Sequence, residues 1–155
     1  MTDLDFICAL MRTETDALGF IPRPTLYDRI TRHGRYLIQT DSHGRKLGYL
    51  LHGPTMPDRT IKVYQAVVDI DHRRIQHATR LVDRLIRRAR AMEATSITLR
   101  CALDLEANAF WIASGFHLEA ILPGGARRNR LIATYRLQVA STAIALPTPQ
   151  TYQNR

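Results

Sequence analysis

The β-rich run IKVYQAVVDI, residues 61–70, passes through a basic turn into apolar positions at helical spacing. Ile75, Ala78, Leu81, Val82, Leu85, Ile86 and Ala89 make one stripe of a helix, with Arg80, Arg84, Arg87 and Arg88 mainly off it. A second pair follows: the strand pattern TSITLRCAL, then the helix pattern DLEANAFWIASGF, with Asp104 near its start and Gly115 at its stop. Strand, helix and strand in that order require a right-handed crossover between parallel strands. Few folds accommodate this order together with the hairpins on either side of it.

Those hairpins are legible on each flank. RYLIQT and KLGYLLH read as strands joined by DSHGR, with Gly44 at a position expected to need positive φ. FHLEAIL and RLIATYRLQV read as two more, joined by PGGARRN. Upstream, Leu4, Cys8, Leu10, Met11 and Leu18 predict a helix over residues 3–19, stopped by Gly19. Thr25 is then expected to cap a short helix that turns Leu26, Ile30 and Tyr27 inward. The implied fold class is α/β in the sense of a mixed α+β sheet, antiparallel at the hairpins, with helices on both faces. One domain is expected over residues 1–139. The stretch 140–155 has no period and reads as a loosely held C-terminal extension.

The charge narrows the ligand. The net charge is +8, almost entirely arginine, since Lys46 and Lys62 are the only lysines. Such an excess suits a polyanion: a nucleotide cofactor, a nucleic acid, or both. Cys8 and Cys101 belong to no CxxC or Cys/His cluster, so the expectation is two free thiols and no metal. No apolar run has the length of a membrane span. The first residues lack the basic and cleavable regions of a secretory signal, and the expected compartment is the cytoplasm.

Two motifs carry a resemblance. RRIQHA, Arg73 to Ala78, follows the strand VYQAVVD, and NAFWIASGFH sets Trp111 four residues before Gly115, with Phe116 next. At this separation, with a strand between them and a hairpin before them, the chain resembles the GNAT superfamily of acyl-CoA N-acyltransferases. That family's phosphate loop reads [Q/R]-x-x-G-x-[G/A]. The resemblance implies a central splayed sheet and acetyl-CoA as acyl donor. It places the diphosphate on Arg73, Arg74, Gln76, His77, Ala78 and Thr79, and the pantetheine arm on the backbone of Val67 and Val68. Asn108 and Trp111 join the cofactor-binding set. Ala78 meets the small-residue position, whereas Gln76 stands where the family has glycine. Backbone N–H groups aimed at an anion are what a cradle needs, and glycine is the easiest means to that end.

The resemblance names no catalytic residue. Where many members carry a strand Glu, this chain has Gln65, and Trp111 stands where many use a Tyr acid. Glu106, Asp104, His72, His117 and Tyr135 remain candidates, each with a plain structural alternative. Tyr64, next to Gln65, is expected on the opposite face of the strand, and Cys101 reads as a core thiol. Two functions stay open. One is direct acetyl transfer to an amine that is a small molecule, a protein, or an aminoacyl group on RNA such as tRNA. The other is a catalytically weak or inactive module of the same shape, binding CoA, nucleic acid or a protein partner. A homodimer is compatible with either.

Overall fold

The computed structural model describes residues 1–74, 76–124 and 129–140. Ile75, most of the PGGARRN connection, and the extension beyond Ala140 lie outside the described residues.

Helix α1 spans Asp3–Thr13. Thr2 caps it by accepting the Asp5 N–H, and Asp3 and Asp5 lie in the first turn, where the helix dipole favours acids. The single helix expected over residues 3–19 breaks at Glu14. The Thr13 hydroxyl donates back to Leu10 O at 2.8 Å, a side-chain bond that competes with helix continuation. A short helix α2, Thr15–Leu18, follows before Gly19. Helix α3 is Arg23–Tyr27, extended by a π-turn over Asp28–Arg32. It starts at Arg23, ahead of Thr25, and tolerates Pro24 in its first turn, which lacks only an N–H that would be unpaired anyway. Leu26 and Ile30 are buried as expected, but Tyr27 is half-exposed.

Among the described residues six strands form one sheet: β1 Tyr36–Thr40, β2 Lys46–His52, β3 Thr60–Val68, β4 Ser96–Ala102, β5 His117–Pro123 and β6 Leu131–Gln138. Their order is β1-β2-β3-β4-β6-β5, with β3 and β4 parallel and all other neighbours antiparallel. Gly44 adopts φ +79° in the first hairpin, as its turn requires. Strand β3 stops two residues earlier than expected. Asp69 accepts the Asp71 N–H at 3.0 Å and bends the chain into a 3-10 turn over Ile70–His72.

Helix α4, His77–Ala91, makes the crossover, and α5, Ala107–Ala113, follows β4. The α4 stripe buries Leu81, Val82, Leu85 and Ala89 against Leu50, Ile61, Val63, Val68, Ile97 and Leu99 of the sheet. Helices α1 and α3 bury Ile7, Met11 and Leu26 against Tyr49, Leu51 and Val67 on a second core. Both faces of β2 and β3 are thus covered.

Two arginines of α4 have a structural task. Arg88 Nη1 donates to Tyr36 O at 2.7 Å, and Arg84 Nη1 donates to Ile38 O. These carbonyls belong to the edge strand β1, so the guanidinium groups cover an edge otherwise open to pairing. Among the described residues no helix is long and apolar enough to cross a membrane.

Candidate acyl-donor cleft

The site begins where two parallel strands part. β3 and β4 pair only from Thr60↔Ser96 to Lys62↔Thr98. Beyond Lys62 the strands diverge, leaving a cleft of about 750 Å³ between the end of β3, the start of α4, and α5. Val67, Val68, Arg73, Arg74, Gln76, His77, Ala78, Thr79 and Trp111 all line it. The sequence motifs, separated by more than thirty residues at their extremes, therefore converge on one cavity.

The β3 backbone supplies donors and acceptors at the cleft wall. Asp69 N–H bonds Leu47 O on β2, and the pairing from there to Leu51↔Gln65 is regular. Peptide groups of alternate residues point to alternate sides. Val67 therefore turns its N–H and C=O to β2, while Ala66 and Val68 turn theirs into the cleft. Of the two valines expected to serve the cofactor, Val68 turns its peptide group to the cleft, whereas Val67 lines the cleft but spends its peptide group on β2.

A bulge corrects a second expectation. The β2–β3 register shifts between Leu51↔Gln65 and His52↔Val63, leaving Tyr64 as the extra residue. Tyr64 and Gln65 consequently share the α1/α3 face rather than opposing each other. Arg29 stacks over the Tyr64 ring, 4.0 Å from its centroid. Gln65 is buried, accepts from Tyr49 Oη at 3.0 Å, and donates to Leu18 O and Gly19 O, each at 3.3 Å. Its amide ties α2 to the sheet.

The start of α4 shows what Gln76 does at the position where the resemblance expects glycine. Gln76 adopts φ +59° and ψ +9°, the left-handed conformation that glycine occupies most easily, and Arg74 has φ +67°. The first α4 bond runs from Arg80 N–H to Gln76 O at 2.9 Å. The N–H groups of His77, Ala78 and Thr79 thus have no acceptor within the helix. Unlike α1, this helix has no acid in its first turn and no side-chain cap. Its positive end is left for an anion.

Side chains complete the lining. Arg73 Nε donates to Val68 O at 2.9 Å, and its Nη2 pairs with the Glu14 carboxylate. His77 is buried, its Nδ1 3.4 Å from Gln39 Nε2. Trp111 is buried edge-to-face between Phe110 and Phe116, with ring centroids 5.0 and 5.3 Å away. Cys101 lines the cleft, and burial pushes its thiol above the ordinary range, which disfavours the nucleophilic thiolate. Glu106 and His72 also line the cleft, with His72 Nδ1 3.4 Å from Asp69 Oδ1.

Other candidates lie elsewhere. Asn108 donates to Ala102 O at 2.8 Å and Leu105 O at 2.7 Å, and accepts from Tyr135 Oη, so its amide binds the β4–α5 turn rather than the cleft. Tyr135 is buried there, and that burial pushes its phenol up. Asp104 precedes α5 and is held below the ordinary carboxylate range by Arg130, whose Nη2 donates to it at 2.8 Å. His117 is exposed on β5. The sequence reading missed Glu14, Ala17 and Leu18, which line the cleft from the α1–α2 junction. No local motif marks them. They arrive through the Gln65 bonds and the break at Glu14.

Comparison places this architecture among known folds. A family model described as the acetyltransferase (GNAT) family matches residues 5–116. A search of curated proteins gives no match. Similar solved structures include Ard1 from Thermoplasma volcanium, 19% identical, with a TM-score of 0.76 over 90% of this chain and 95% of that one. The ribosomal-protein-S18-alanine N-acetyltransferase from Escherichia coli is 17% identical, with a TM-score of 0.68 over 96% of each chain. N-acetylglutamate synthase from Neisseria gonorrhoeae, solved with coenzyme A and N-acetyl-glutamate, is 17% identical, with a TM-score of 0.73. That match covers 90% of this chain but 34% of the synthase. At such identities the likeness is one of fold.

Proposed function

Because the chain belongs to the acetyltransferase (GNAT) family, we propose that it transfers an acetyl group from acetyl-CoA directly to an amine. One observation carries this reading: the β3–β4 gap ends at an uncapped helix start whose preceding residue already holds the left-handed conformation. The donor set fits the molecule. First-turn amides with no acceptor in the helix, Arg73 and Arg74 suit a diphosphate, small Ala78 permits close approach, and the cleft-facing peptides of Ala66 and Val68 suit the amides of a pantetheine arm.

The thioester supplies an activated acyl carbon. Val68 N–H is the amide available to hold its carbonyl oxygen as charge builds there, leaving the Ala66 peptide to the pantetheine arm. Positioning two reactants in one cleft can itself be worth about 7–11 kcal/mol. The amine must lose a proton, and Glu14, Glu106 and His72 are cleft groups able to accept it directly or through water. Gln65 and Trp111 do neither job. Gln65 positions α2, and Trp111 forms the aromatic wall. An acceptor borne on RNA is favoured by the arginine excess, although Arg84 and Arg88 are partly occupied at the sheet edge.

The test is a melting series with acetyl-CoA, CoA and short RNA, followed by thiol release over a panel of amines. A saturable rise with both CoA forms and amine-dependent thiol release support the transferase. A salt-sensitive rise with RNA alone would instead favour a binding module and overturn this reading.

A further inference from the structure

On the donor reading above, we propose that Glu14 and Arg73 form a donor-sensing latch: a diphosphate takes the arginine and thereby frees the carboxylate for a cationic amine acceptor. Three observations combine. Arg73 bridges the cleft mouth, bonding Val68 O through Nε and the Glu14 carboxylate through Nη2. Both side chains line the same cavity as the start of α4. They are unequally open, the Arg73 side chain at 41% exposure and that of Glu14 at 19%. The cation is reachable from solvent, while the anion is mostly enclosed.

Exchange follows from the chemistry of the partners. The Arg73 end of the pair is open to solvent, so this cation can change partners without leaving the cleft. A diphosphate at the α4 N-terminus offers more charge and more acceptor oxygens than one carboxylate, and the planar guanidinium fork matches it well. Withdrawal of Arg73 leaves Glu14 as a largely enclosed carboxylate without that cation, which is unfavourable until another cation arrives. A protonated amine entering the cleft provides it. Donor and acceptor then bind with positive coupling, and by linkage each favours the other. Glu14 then contacts the acceptor directly, and the acceptor belongs to the class of cationic amines.

The latch is tested by CoA affinity, measured calorimetrically on the full chain for the wild type, Glu14→Gln, Arg73→Gln and the double variant. Glu14→Gln is expected to tighten CoA roughly fivefold or more, and this gain is expected to vanish in the Arg73→Gln background. A gain that persists without Arg73 reflects only the loss of a negative charge near the diphosphate and overturns the latch. Unchanged affinity in Glu14→Gln overturns it as well. A wild type that binds no CoA overturns the donor reading itself, and the latch with it. Melting curves without ligand verify folding, and Glu14→Ala replaces the glutamine variant if that one is unstable.

Discussion

Tyr135 donates its hydroxyl to Asn108 Oδ1 at 2.7 Å, while the same amide's nitrogen reaches Ala102 O and Leu105 O. One side chain therefore joins β6, the end of β4 and the entry to α5. Asn108→Ala leaves the buried Tyr135 phenol without its acceptor and removes the side-chain bonds to Ala102 O and Leu105 O, which keep the Leu105 and Asn108 N–H groups. The expected loss is about 1–3 kcal/mol of stability, read from urea unfolding. Tyr135→Phe removes only one donor and is expected to cost less. Because Asn108 holds the turn and not the cleft, CoA affinity of the folded Asn108→Ala protein is expected to change little. A large affinity loss with unchanged stability would place Asn108 in the binding site after all.

Gln76 sits in the left-handed region at φ +59°. A non-glycine residue there costs roughly 1–2 kcal/mol, partly offset because glycine gives the unfolded chain more freedom. Gln76→Gly is expected to leave stability unchanged or to raise it by up to about 1 kcal/mol. Gln76→Val, with a branched side chain in the same conformation, is expected to lower it by about 1–2 kcal/mol. CoA affinity should survive the glycine change, since the backbone amides supply the cradle. A loss of affinity in Gln76→Gly would instead make the Gln76 amide a phosphate ligand.

His52 is buried on β2 and donates Nδ1–H to Gly53 O at 2.8 Å, leaving Nε2 to face Arg88 Nη1 at 3.4 Å. Burial holds its imidazole below the ordinary value of 6.5, and nearby Arg88 adds to this. The unfolded chain therefore binds the proton more readily than the folded one. Stability from this residue is present above pH 6.5 and is lost as pH falls below that value. His52→Asn keeps a donor for Gly53 O and removes the titration. Denaturant unfolding at stepped pH from 7.5 to 5 (roughly the histidine range) should show a shallower decline in the variant. Parallel slopes would remove His52 as a source of acid sensitivity.

Arg73 and Arg74 both line the cleft beside the α4 start. Replacing both with alanine is expected to weaken CoA binding about 10- to 100-fold, the worth of one or two charge-assisted hydrogen bonds. The protein is expected to stay folded but to melt somewhat lower without ligand, because the mostly enclosed Glu14 carboxylate loses its cation. Full affinity in the double variant would move the diphosphate away from this turn.

Long periodic elements were legible because periodicity is a local property. The α4 stripe, the first hairpin and the Trp111–Gly115–Phe116 helix end could each be read within their own segments. Three features could not. The break at Glu14, where φ is −124° and the Thr13 hydroxyl turns back to Leu10 O, leaves no mark in the apolar spacing. The Tyr64 bulge depends on the partner strand, and it reverses a face assignment based on simple alternation. The direction of the Val67 and Val68 amides follows from register across β2–β3, which no single strand specifies. The cleft residues missed from α1 and α2 have the same origin, since Gln65 on β3 brings Leu18 and Gly19 to the sheet.

Register also yields the sharpest test of transfer. Val68 N–H faces the cleft and not β2, so proline at this position removes no β2–β3 ladder bond. Its preceding residue is already extended, as proline requires. Val68→Pro is therefore expected to fold, with a circular dichroism spectrum like that of the wild type. Its melting temperature should still rise with CoA, because the α4 cradle is intact. Thiol release with an active amine should nevertheless fall roughly 10²- to 10³-fold, the effect of losing one donor to a developing oxyanion. Undiminished release in a folded Val68→Pro protein would assign carbonyl polarisation to another donor, with the Ala66 amide as the next to examine.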